Sequence, residues 1–141
     1  MSTAITPQLD VPQPPKGING FLLVFVISLF GSALIYILML YTLGLTGLVK
    51  FLFEIVPVLA VTSAIQIIRK KKSGQIWSAV FLGYRFVLGI LMMLATIGAV
   101  GPNAADVQMI GILWFLWALV YGFVWGVYLF RSKRVAATLV N

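Results

Sequence analysis

The sequence contains no cysteine and no histidine among its 141 residues. It therefore forms no disulfide and lacks the usual protein ligands of zinc and haem iron. Charge is also scarce, because only 9% of the residues are charged and only three, Asp10, Glu54 and Asp106, are acidic. We expect no two of these carboxylates to lie close together, and no phosphate-binding glycine loop or nucleophile motif occurs. The sequence gives little support to an enzyme, and we expect no catalytic residue, metal or cofactor.

What the chain has in abundance is apolar residues. It is 62% hydrophobic with a mean hydropathy of +1.09, whereas soluble domains average about 45–50% apolar and about 25% charged residues. This composition predicts a single-domain integral membrane protein. The net charge of +7 does not indicate nucleic acid as a partner, because the cations cluster at the ends of apolar runs, where they set membrane topology and meet lipid headgroups.

Four apolar runs are each long enough to cross a bilayer, which takes about 20 helical residues. They are separated by a glycine-rich turn at 44–47, a basic loop, and a helix break around Pro102. The predicted fold is an all-α bundle of four transmembrane helices within residues 18–130. It is preceded by a flexible proline-rich tail at 1–17 and followed by a basic tail at 131–141. The predicted spans are 21–43, 48–68, 76–100 and 108–130.

The basic loop fixes the expected orientation. A Lys or Arg at the centre of a membrane helix costs about 2.5–3.5 kcal/mol, and basic loops remain in the cytoplasm. With four spans, eight of the ten Lys and Arg residues fall on the side of this loop, so both termini are predicted to be cytoplasmic. These cations either contact anionic lipid headgroups or act only as stop-transfer signals. The candidates for headgroup contact are Arg69, Lys70, Lys71, Lys72, Arg131, Lys133 and Arg134.

Two charges lie at hydrocarbon depth in the predicted spans, and charges at that depth are functional candidates. Glu54 and Arg85 lie about 21 Å and about 14 Å from the inner ends of consecutive antiparallel helices, at 1.5 Å per residue. We predict that they form a coupled ion pair. The alternatives are a pair between Glu54 and Lys50 one helical turn away, a substrate or proton site, and an Arg85 side chain that extends to the interface.

The last predicted helix carries two stripes at helical spacing. One is aromatic, and we interpret it as a packing or lipid-facing surface or, alternatively, as a wall that binds a cation. The other consists of small residues that allow a neighbouring helix to approach closely. The aromatic stripe is Trp114, Trp117, Tyr121, Trp125 and Tyr128, and the small stripe is Gly111, Ala118, Gly122 and Gly126.

The stretch from Trp125 to Thr138 includes Ser132-Lys133-Arg134-Val135-x-x-Thr138, and residues 17–22 read Gly-Ile-Asn-Gly-Phe-Leu. Both stretches resemble the small bacterial membrane proteins grouped as domain of unknown function 2569. Leu139 and Val127 depart from that family's usual aromatic residue and proline. The resemblance covers most of the chain and implies a four-helix protein of the bacterial inner membrane, but it implies no activity.

Two functions remain open at this stage. The first is an interaction or accessory protein without turnover of its own, with the bilayer and either further copies of this chain or another membrane protein as partners. The alternative is a homodimeric small-solute transporter that uses Glu54 and Arg85. A lipid-modifying enzyme is a third and less favoured interpretation.

Overall fold

The computed structural model describes residue 18 and residues 20–139, and its regular elements in this range are helices. The predicted proline-rich tail at 1–17 lies outside the described residues. Four of the helices are long and the fifth is short. They are α1 (Phe21–Thr42), α2 (Gly47–Ile68), α3 (Ser73–Ile97), α4 (Ala104–Arg131) and α5 (Lys133–Thr138).

The four long helices confirm the prediction of an all-helical bundle suited to a membrane, because each is long and apolar enough to cross a bilayer. The turn predicted at 44–47 is also present, with Gly44 and Gly47 both at positive φ. Helices α3 and α4 begin three to four residues before the predicted spans. Hydropathy marks only the part of a helix that suits hydrocarbon, and the polar first turns at Ser73 and Asp106 are helical as well.

Successive long helices pack side by side as antiparallel neighbours, α1 on α2, α2 on α3 and α3 on α4. Helices α1 and α4 close the bundle differently, through large side chains rather than through close backbone approach. The rings of Phe25 and Trp125 lie 4.8 Å apart, and those of Tyr36 and Trp114 lie 5.8 Å apart. The α1–α4 side therefore leaves room for a cleft.

Close helix packing occurs at some of the predicted small residues but not at others. A Cβ added to Gly111 would collide with the side chain of Thr96 on α3, and Ala118 packs against Gly89 of α3. In contrast, a Cβ added at Gly122 or Gly126 would meet nothing within 4 Å. The prediction of close approach at Gly122 and Gly126 is therefore wrong within one copy of the chain. Gly122 instead lines an open groove that α4 forms with Leu82, Gly83 and Phe86 of α3.

Helix α2 contains Pro57, which has no N–H to donate to the carbonyl of Phe53. The neighbouring carbonyl of Leu52 accepts a hydrogen bond from the Tyr84 hydroxyl at 2.8 Å. A side chain of α3 thus supports α2 on the turn that precedes the proline. Membrane helices tolerate proline where neighbouring helices supply such contacts.

One end of the bundle, here called the basic end, carries the loop Arg69–Lys72 and the short helix α5. Ser132 caps α5 by accepting a hydrogen bond from the N–H of Val135 at 3.4 Å. Val135 and Leu139 are buried in the hydrophobic core. Gln75 at the start of α3 donates to the carbonyl of Leu129 at 2.9 Å. The segment treated in the sequence as a basic tail therefore packs, at least as far as Leu139, onto the bundle.

Candidate functional site

A cleft of about 330 Å³ lies between α1 and α4, and Arg85 reaches it from α3. The cleft opens on the outer surface of the bundle, because its rim is formed by exposed apolar side chains from both helices. Its polar side chains are Arg85, the hydroxyls of Ser32 and Tyr36 and the two tryptophans, and the described part of the chain contributes no carboxylate to it. The lining residues are Ser32, Ile35, Tyr36, Arg85, Ile110, Leu113, Trp114 and Trp117.

Arg85 is buried, with only 7% of its surface exposed. Its Nη1 donates to the hydroxyl of Ser32 at 3.3 Å. Its Cζ lies 4.2 Å from the ring centre of Tyr121 and 5.9 Å from that of Tyr36. Both rings are close enough for cation–π attraction. The Tyr121 ring is positioned by a hydrogen bond of 2.7 Å between its hydroxyl and that of Ser28.

Two polar atoms at the cleft are left without partners. Neither the Nε of Arg85 nor the hydroxyl of Tyr36 makes a hydrogen bond within residues 20–139, although both are buried. Buried polar groups without partners are rare, and each calls for a specific explanation. The cleft therefore presents a cation and unused hydrogen-bond donors, and the described residues that line it include no negatively charged group.

The predicted pair between Glu54 and Arg85 is not formed, and the alternative pair is. The carboxylate of Glu54 lies 3.8 Å from Nζ of Lys50, and both side chains are about half exposed. These two residues line a separate groove beside the end of α1. Asp106, the other carboxylate in the described part of the chain, is exposed in the first turn of α4. Neither carboxylate therefore neutralises Arg85.

The aromatic stripe of α4 combines the two interpretations left open by the sequence. Trp114, Trp125 and Tyr128 pack against rings of α1 and so hold the bundle closed. Tyr121 lies under a cation, but that cation is the protein's own Arg85. Trp117 is 60% exposed at the rim of the cleft.

Arg85 lies deep in the bundle. It follows the first residue of α3 by about 18 Å at 1.5 Å per residue, close to the middle of a hydrocarbon core of about 30 Å. Arginine does not lose its proton in proteins. One charged hydrogen bond and two ring contacts offset part of the cost of placing the cation there, but no negative charge among residues 20–139 balances it.

Sequence reasoning identified Arg85 but missed Ser32 and Tyr36. A signal for them exists, because Ser28, Ser32 and Tyr36 follow each other at four-residue spacing and so lie along one face of α1. This is a polar line in an otherwise apolar helix, and all three side chains point inward toward α4 or Arg85.

The remaining predicted residues lie apart from the cleft. Arg69, Lys70, Lys71, Lys72, Arg131 and Lys133 are exposed at the basic end. Arg134 is partly buried, with its guanidinium against Gly20. Among residues 20–139 no three His, Cys, Asp or Glu side chains come together as metal ligands.

Four apolar helices of spanning length make this chain a multi-pass helical membrane protein. Its candidate site is the cleft between α1 and α4, where no negative charge of the described residues balances Arg85. No family model, curated protein or solved structure matches the chain.

Proposed function

We propose that this protein is an accessory protein of the bacterial inner membrane that binds a partner within the bilayer and performs no turnover of its own. The observation that carries the proposal is Arg85, a buried cation whose charge nothing in the described part of the chain balances. Charged side chains in membrane spans usually pair with another group or mark a binding site. A partner with negative charge would complete the environment of Arg85.

The alternative, a homodimeric small-solute transporter, receives less support. As formulated from the sequence, it needs Glu54 and Arg85 in one site. Glu54 instead contacts Lys50 in a separate groove, while Arg85 faces Ser32 and Tyr121. The two charges would have to be brought together by a second copy or by a rearrangement of the helices.

The orientation and the family relationship belong to the same proposal. We place both termini in the cytoplasm because the exposed cations concentrate at the basic end and basic loops stay inside. The kinship with domain of unknown function 2569 rests on residues 17–22 and on the Ser132–Thr138 motif. In that motif Ser132 caps α5 and Val135 is buried, which gives these positions a structural role.

The proposal is tested by photocrosslinking in intact membranes. A photoreactive residue replaces Leu113 on the rim of the cleft or, as the matched control, Val87, which is exposed on α3 two residues from Arg85. We expect a defined adduct from position 113 that disappears in Arg85→Gln and is absent from position 87. The same diffuse lipid adducts from both positions, unaffected by Arg85→Gln, would contradict the proposal.

A further inference from the structure

We infer that the cleft between α1 and α4 binds a hydrophobic carboxylic acid, a molecule with one carboxylate and one apolar chain. This ligand enters the cleft laterally from the bilayer. This inference rests on the proposed function and names the class of ligand that the cleft takes. It depends on three features of the cleft: its unbalanced charge, its depth and the nature of its walls.

The charge and shape of the Arg85 guanidinium favour an anion with two adjacent oxygens. A guanidinium presents its N–H groups as a planar fork that fits a carboxylate with two parallel hydrogen bonds. Arg85 uses Nη1 toward Ser32 and leaves Nε without a partner. The unpartnered hydroxyl of Tyr36 lines the same cleft and can donate a further hydrogen bond. A small reorientation of Arg85 would present these donors to one carboxylate.

The depth of Arg85 favours a carboxylic acid over a phosphate. An ion in an apolar environment is so unfavourable that a carboxyl group there takes up a proton and becomes neutral. A carboxylic acid can therefore move from the interface to the middle of the bilayer as a neutral molecule. Beside Arg85 it ionises and its proton returns to water, so the ligand is an anion both before entry and when bound. A phosphate ester is a much stronger acid in its first ionisation, whether it is a monoester or a diester, and has no comparable neutral form.

The walls suit an apolar chain. Ile35 and Leu113 form opposite sides of the rim and are 56% and 57% exposed, and Trp117 lies beside them. In a membrane these side chains face lipid, so an acyl chain reaches the cleft without passing through water. The volume of about 330 Å³ is at the lower end of ligand pockets, about 300–1,000 Å³. It suits the carboxyl end of a chain better than a bulky headgroup.

The test uses tryptophan fluorescence of the purified full-length protein in nanodiscs of neutral phospholipid. Trp114 and Trp117 line the cleft, so a bromine atom bound there quenches their emission by contact. The probes are dibrominated stearic acid and its uncharged methyl ester. Trp77→Phe is present in every sample, so that Trp125 is the one tryptophan outside the cleft and contributes the same background throughout. We expect saturable quenching by the acid and binding of the ester weaker by about tenfold or more, because charged hydrogen bonds are about twice as strong as neutral ones.

Two variants test whether binding depends on Arg85 in the cleft or on any charge within the membrane. Arg85→Gln should bind the acid no better than the ester, while Glu54→Gln, which removes the other intramembrane charge, should bind like the unaltered chain. Equal quenching by acid and ester in the unaltered chain would overturn the inference, and that comparison stands even if Arg85→Gln fails to fold. Competition by unbrominated stearyl phosphate as strong as that by stearate would overturn the choice of a carboxylic acid.

The crosslinking experiment distinguishes failure of this inference from failure of the proposed function. An Arg85-dependent adduct at position 113 with one membrane protein, not displaced by stearate, would retain the proposed function and overturn the carboxylic acid. An adduct with a second copy of this chain, lost in both Arg85→Gln and Glu54→Gln, would also retain the proposed function and overturn the carboxylic acid. Glu54 of the second copy would then be the counter-charge of Arg85. A stearate adduct at position 113 supports both.

Discussion

The energetics of Arg85 differ from those of a buried ion pair. Removing one partner of such a pair costs about 3–5 kcal/mol because it leaves the other charge uncompensated. Arg85 has no carboxylate partner in the described part of the chain, so removing it leaves no orphaned anion. The substitution loses one hydrogen bond and the ring contact with Tyr121. It also removes the cost of holding a cation near the middle of the bilayer, about 2.5–3.5 kcal/mol on insertion scales.

A double-mutant cycle tests this difference. Arg85→Met should change the free energy of unfolding by no more than about 1–2 kcal/mol, since a hydrophobic replacement of a buried charge is often neutral. Glu54→Gln should cost less than about 1 kcal/mol, because its contact with Lys50 is exposed and long. The double mutant should equal the sum within about 0.5 kcal/mol. The measurement is unfolding in mixed micelles with increasing denaturing detergent. Recovery of stability in the double mutant would mean that Glu54 and Arg85 are paired after all.

At the scale of the helices, hydropathy predicted where the spans lie but not which face of each points inward. In a membrane the lipid-facing and interior-facing side chains are both apolar, so the periodic contrast that orients a soluble helix is weak. This is why Glu54 was expected to face Arg85, although the inner face of α2 is formed by Phe53, Val56 and Ala60. The aromatic stripe on α4 was predicted because it breaks this uniformity, and the polar line on α1, which was missed, could have been found for the same reason.

Gly111 and Gly122 provide a matched pair for helix packing. Gly111→Ala should destabilise the bundle by about 1–3 kcal/mol as an overpacking substitution, because its Cβ would collide with Thr96. Thr96→Ala should restore part of the loss by making room. Gly122→Ala should be neutral or slightly stabilising, since its Cβ meets nothing within 4 Å and alanine is the better helix former. Thermal unfolding in mild detergent measures both. Equal destabilisation would place a neighbour on Gly122, as a second copy of the chain would.

Helix α5 also allows a matched test of packing, because the adjacent positions 135 and 136 differ in burial. Val135 is fully buried and Ala136 is exposed. Val135→Asp should destabilise the basic end by about 2 kcal/mol or more, since it removes an apolar side chain and buries a charge. Ala136→Asp should stay within about 0.5 kcal/mol of the unaltered chain. Limited proteolysis after Arg131 reports the release of α5. Identical cleavage of the two variants would mean that α5 does not depend on its packing.

At the scale of the whole molecule, the proposed orientation rests on the distribution of charge. The cations of the loop Arg69–Lys72 and of residues 131–134 lie at the basic end, whereas Lys50 is near the opposite end and half exposed beside Glu54. Each Lys or Arg in a short loop favours retention in the cytoplasm, so the basic end favours the cytoplasmic side much more strongly than the opposite end does. The chain has no cysteine, so a single introduced cysteine reports one position without background.

We expect Ser73→Cys and Ala136→Cys at the basic end to react with an impermeant thiol reagent only after the membrane is opened. Asn103→Cys, exposed in the loop between α3 and α4, should react in intact cells. The three positions are linked, because α3 separates position 73 from position 103 and α4 separates position 103 from position 136. Labelling of Ser73→Cys from outside would reverse the orientation. Labelling of Ser73→Cys and Asn103→Cys from the same side would mean that α3 does not span the bilayer, and Arg85 would then lose its place at hydrocarbon depth.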